Sequence, residues 1–92
     1  MYVHWGNYNK QTSLPVALNM AQGALQASGL PIINGANDGD YLVIGGNAQV
    51  VVSIVCVPQP GGVCLVVNAC APDLATAELA SNQIGNLIVN NV

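Results

Sequence analysis

The side chains with the chemistry of a nucleophile, a general base or a metal ligand are few: three cysteines, one histidine and four acidic residues in a chain of 92. Three thiolates must converge to hold a metal ion. Cys70 lies six residues beyond Cys64, which on an extended strand is ~20 Å at ~3.3 Å per residue. A three-cysteine metal site within one subunit is therefore not expected, and no cofactor is. Cys56 and Cys64 flank a turn rich in proline and glycine. With residues 58–62 as its loop they face each other across two strands, an arrangement that suits a disulfide in an oxidising compartment. The competing reading is a pair of buried free thiols, since cysteine behaves as a small core hydrophobe.

Cys70 shortly precedes a predicted helix, where a thiolate is favoured. It is the best nucleophile candidate, and His4 is the only imidazole base. A Cys–His pair needs the base within hydrogen-bond reach of the thiol. No third orienting group stands out, and His4, between Val3 and Trp5, reads equally well as a structural strand residue. No catalytic residue is assigned. The segment at residues 34–40, with Asn37, Asp38 and Asp40, offers hard oxygen ligands. Counted from Asn34 as an EF-hand loop, Gly39 falls at the sixth place, but Ala36 occupies the third and Gly45 the twelfth, so the calcium pattern fails. The paired glycines at 45–46 and 61–62 lack the lysine and spacing of a phosphate-binding loop and read as turns. Trp5 and Tyr8, with Asn7 between them, are candidates for a contact surface, since tryptophan and tyrosine are enriched at interfaces. Together with Asn37, Asp38 and Asp40 they are the expected binding residues; their small-molecule ligand, if any, is not identified by the sequence.

The element that must position these groups is residues 48–69. Val50, Val51, Val52, Ile54, Val55 and Val57 form a β-branched run suited to a pleated surface, and 63–69 repeats its character. Pro58, Pro60, Gly61 and Gly62 between them make a turn. A loop over 58–62 sets Val57 opposite Val63, Cys56 opposite Cys64, Ile54 opposite Val66 and Val52 opposite Asn68. Side chains alternate faces along a strand. One face then holds Val50, Val52, Ile54 and Cys56, and the other Val51, Ser53, Val55 and Val57. Both are mostly apolar, whereas a sheet wetted on one side alternates more cleanly. Helices are expected to cover one face and a second subunit the other, which predicts a homo-oligomer.

Residues 2–5 have strand propensity, and Gly6-Asn7 is expected to bend or end the strand. Thr12 or Ser13 caps a helix with Pro15 in its first turn; Leu14, Leu18, Ala21 and Leu25 mark its stripe, and Ser28-Gly29 its end. Leu30 to Ile33 is a short apolar piece that pairs briefly or plugs the core. Residues 41–44 form the next strand, turned by 45–47 into the valine-rich one. Pro72 or Asp73 opens a last helix with Leu74, Ala77, Ile84, Leu87 and Ile88 inside. The expected fold is a single α+β domain of order β-α-β-β-β-α, a two-layer sandwich with both helices on one face of an antiparallel sheet. This order resembles the ferredoxin-like topologies. The resemblance covers element order alone and carries no activity.

Composition narrows the function. Hydrophobic residues are 52% and charged residues 5%, against about 25% charged in ordinary domains. Net charge is −3, with Lys10 the only basic side chain. Phosphate-backbone binding depends on several Lys or Arg, so neither nucleic acid nor an anionic membrane surface is an expected partner. No apolar run approaches the ~20 residues of a spanning helix, and no signal peptide is visible; the asparagine-rich, charge-poor composition leans toward a secreted or periplasmic setting. Low charge also removes the repulsion that opposes assembly. The leading expectation is a non-enzymatic, self-associating α+β module. The alternatives are a secreted or periplasmic small binding domain, and a small dimeric ferredoxin-like enzyme using His4 or Cys70.

Overall fold

The structure is a computed structural model that describes residues 1–35 and 41–90. Its elements run β1 (Tyr2–Lys10), α1 (Leu14–Ala27), β2 (Ile32–Asn34), β3 (Leu42–Gly46), β4 (Val51–Gln59), β5 (Gly62–Ala71) and α2 (Leu74–Asn90). The protein is α+β, with a five-stranded antiparallel sheet and two helices. Ser13, in extended backbone, precedes α1, and Pro15 sits in the first turn, where no donor is lost. Gly29 closes that helix at φ 76°. The Leu30 N–H then reaches back to the Leu25 carbonyl at 3.1 Å, the bond of a glycine-terminated helix. At α2, the Asp73 carboxylate accepts from the Thr76 N–H and hydroxyl, both at 2.8 Å. These bonds hold the Asp73 carboxyl below its ordinary pKa, and they satisfy a donor that the helix cannot pair internally.

The strand order is β1-β5-β4-β3-β2, which departs from the ferredoxin-like pattern. Strands β2 to β5 form a meander of sequential neighbours, so both flanks of β4 and one flank of β5 are filled by hairpin partners. The first strand takes the remaining flank of β5, and α1 carries the chain from that edge of the sheet to the opposite one. Ile32–Asn34 pairs with β3 as a short bulged strand. β1 neither ends nor loses register at Gly6-Asn7, the expected place for a bend or an end, and runs on to Lys10, pairing with β5 along its length.

The β4–β5 turn is tighter than a five-residue loop. Gln59 pairs with Gly62, leaving Pro60 and Gly61 as the turn, with Gly61 at φ 83°. Proline followed by a positive-φ glycine is the chemistry of a two-residue reversal. Pro58 remains in the strand because pairing with β3 ends at Val55, so no ladder on that side requires its missing donor. The consequence is a one-residue slip from the expected register: Val57 opposes Cys64, Cys56 opposes Leu65, Ile54 opposes Val67 and Val52 opposes Ala69. Such a slip moves every side chain of one strand to the other face. Cys56 and Cys64 are thereby placed on opposite sides of the sheet, and all three cysteines are free thiols.

Both helices lie on the same face. They touch each other, α1 resting on β3 and β4 and α2 on β1 and β5. Between sheet and helices Val43, Val52, Ile54, Leu65 and Val67 meet Ala17, Leu25, Ile84 and Ile88, all buried. Gly45 lets α1 approach, since a Cβ there would stand 3.3 Å from Leu25.

Candidate functional site: the open face of the sheet

The strand alternation that buries Val63, Leu65, Val67 and Ala69 turns Cys64, Val66, Asn68 and Cys70 outward. The registers align these with neighbours in rows. Asn7, Val66, Val55 and Leu42 form one row, and Trp5, Asn68, Ser53 and Ile44 the next. Val3, Cys70 and Val51 lie at one end, and Asn9, Cys64 and Val57 at the other. No element of the described chain covers this surface. Trp5 is 61% exposed at its β1 edge, while Val55 and Val66 at its centre are half-buried by their own neighbours. Strand spacing and rise make the face roughly 20 Å by 30 Å, about 600 Å².

Its electrostatics are as plain as its shape. Among the described residues no charged side chain lies on it. Lys10 shares the helix-side parity of Tyr8, and its ammonium donates to the Val89 carbonyl of α2 at 3.2 Å. Asp73 immediately precedes α2, and Glu78 lies in its second turn. Its polar groups include the amides of Asn7, Asn9 and Asn68 and the Ser53 hydroxyl. These are neutral groups that a facing surface can satisfy with hydrogen bonds without desolvating an ion.

The structure separates residues that adjacency in sequence had grouped. Trp5 and Asn7 share the open face, but Tyr8 points to the helix side. Its hydroxyl lies against Gly6 and Gly85, where a Cβ at Gly6 would approach it to 3.0 Å and one at Gly85 would collide with it. Asn37, Asp38 and Asp40 lie outside the described residues. Cys70 pairs with Val3 and faces outward, whereas His4 pairs with buried Ala69 and faces the helices; the sheet separates thiol from imidazole. The Cys56 thiol is buried, and desolvation pushes its pKa up to about 11, the direction opposite to an activated nucleophile. Among the described residues no group of histidine, cysteine and acidic side chains clusters as a metal site. A cleft of about 520 Å³ is walled by the β4–β5 turn and residues 9–11, Lys10 among them, and no cysteine, histidine or acidic side chain lines it.

Sequence reasoning missed one buried polar residue, Ser81. His4 Nδ1 and Ser81 Oγ are buried without a hydrogen-bond partner among the described residues. A signal existed: Ser81 falls four residues after Ala77 and three before Ile84, inside the apolar stripe of α2. That stripe also differs from expectation at its start, where Leu74 is exposed.

No family model matches the chain, and no curated protein matches it. No helix among the described residues is long and apolar enough to cross a membrane.

Proposed function

We propose that this protein is a non-enzymatic module that associates with further copies of itself through the open face of its sheet. The observation that carries the reading is the combination of apolar character and missing charge over the rows centred on Val55 and Val66. The whole face, polar residues included, is of the size of the largest apolar patches on lone soluble proteins, about 300–600 Å². It approaches the ~800 Å² that each partner buries in a standard interface. A second copy suits it because a neutral surface meets itself without repulsion, and two sheets stack at ~10 Å through interdigitated side chains. The separation of His4 from Cys70 supports the non-enzymatic part of the reading. The single basic side chain, held at the end of α2, supports the exclusion of nucleic acid as partner.

Sedimentation equilibrium at micromolar concentration tests this. The expected result is an assembled mass that Val66→Lys lowers, with the circular dichroism of the fold retained. A wild-type protein that sediments as a monomer, or a Val66→Lys variant with unchanged mass, overturns the proposal.

A further inference from the structure

The two edges of the sheet are built differently. At one, β2 is three residues long and its pairing with β3 is interrupted by a bulge, both devices that stop a sheet from growing. At the other, β1 runs for nine residues with no proline and no irregularity in its pairing to β5. Among the described residues no strand lies on its outer side. An edge of this kind is a template for a further strand, and natural proteins blunt such edges with charge, proline or bulges. The only charged side chain of β1 is Lys10, at its far end.

We propose that β1 pairs antiparallel with β1 of a second copy about a twofold axis at Gly6, joining two sheets into one of ten strands. This contact is separate from the open face and does not depend on it. Three observations name a second copy as the occupant. First, centring on Gly6 uses all nine residues, and the pairs it makes are compatible: Trp5 meets Asn7, Val3 meets Asn9, His4 meets Tyr8 and Tyr2 meets Lys10. The lone cation therefore faces a tyrosine ring, a favourable partner, and no charge meets its like. Second, the pairing is isologous, as closed dimers require, and it keeps both pairs of helices on one side. Third, α2 is prepared for its counterpart. At 100° per residue, Leu74 and Val89 stand about 60° apart on α2 with Gly85 and exposed Glu78 between them. Gly85 lies against Tyr8 of β1, and the bond from Lys10 to the Val89 carbonyl fixes Val89 above the end of that strand. Both side chains are more than half exposed. In an antiparallel pair of α2 helices, the start of one lies beside the end of the other, so Leu74 of each copy is brought toward Val89 of its partner.

The test is cross-linking. In a Cys64→Ser/Cys70→Ser background, with buried Cys56 left in place, Trp5→Cys and Asn7→Cys are introduced together and singly, with circular dichroism confirming the fold. Mild oxidation is expected to give a covalent dimer from the double variant, because residues 5 and 7 are directly opposed, and far less from either single variant, whose thiols are only diagonal neighbours. Absence of a covalent dimer in the folded double variant overturns the second copy as occupant. Leu74→Lys with Val89→Lys is expected to weaken the dimer by more than about tenfold, since interfacial like charges cost several kcal/mol. Unchanged affinity removes the helix flank from the contact and with it the twofold arrangement. Failure of open-face association would show separately, as a Val66→Lys variant of unchanged mass that still cross-links.

Discussion

Strand β5 presents two nearly equivalent surfaces with different fates. Val63, Leu65, Val67 and Ala69 lie inside against the helices, while Cys64, Val66, Asn68 and Cys70 lie outside. The valines at 66 and 67 are adjacent and chemically identical. One is fully buried by its own chain and the other is shielded only by its neighbours on the sheet. The difference teaches that side-chain type sets how much apolar area the strand carries, whereas the helices set which part of it stabilises the folded chain. The remainder is free to act between chains.

The contrast makes measurable demands. The largest concerns β5 itself. Leu65→Ala is expected to cost about 3 kcal/mol in urea unfolding, from lost burial and the cavity left behind, while Val66→Ala on the other face costs below about 1 kcal/mol. Equal costs at the two positions would erase the distinction between the faces. Next is the closeness of the helix side. Gly85→Ala sets a methyl group into the Tyr8 hydroxyl, and overpacking of this kind is expected to cost about 1–3 kcal/mol. Tyr8→Phe should recover part of that loss in the double variant, and no recovery would move the collision elsewhere.

A smaller effect of opposite sign is expected at Ser81. Its buried hydroxyl has no partner among the described residues, so Ser81→Ala should raise the urea midpoint by an amount corresponding to about 0.5–1 kcal/mol. A fall would reveal a bond that the hydroxyl makes. The finest test uses the cysteines. Alkylation near pH 8 of the folded Val66→Lys variant, in which the open face is freed, should modify Cys64 and Cys70 and spare Cys56, whose thiol is buried. Because the Cys56 pKa is raised from 9.0 to about 11, the unfolded chain releases this proton before the native one does. The Cys56 contribution to stability is therefore full below pH 9 and lost as pH rises toward 11. A Cys56→Ala variant with the same alkaline decline would assign that decline to other groups.

Much of the fold was legible in the sequence for local reasons. β-Branched runs, a proline–glycine turn, Pro15 in the first turn of α1, and Ser28-Gly29 act through their own backbones, and each stands in the element its chemistry favours; Ser13 precedes α1 but makes no side-chain cap bond. The hairpin register was not legible to one residue. Pro58 reads as a loop residue until it is known that β3 stops pairing at Val55, and that is a fact about a third strand. The order of strands was equally hidden. Whether the apolar piece at 30–33 fills the core or takes an edge depends on which flanks of β4 and β5 are already occupied. Of the candidate site, the shared face of Val51, Val55 and Val57 could be read by alternation, but Val66 could not be placed with them, because the expected register set it opposite Ile54 whereas it pairs with Val55. The grouping of Trp5 with Tyr8 could not survive alternation either, because adjacent strand residues face apart.

The sequence by itself determined a chain of high apolar content and almost no charge, strands of β-branched residues, and two helices with their ends marked. These follow from side-chain sterics, backbone freedom and hydration, which act residue by residue. Only the tertiary structure decided which face of the sheet the helices cover, which thiol is buried, and which edge is left long and unblunted. Those outcomes depend on pairings between segments far apart in the chain, where a shift of one residue exchanges inside for outside.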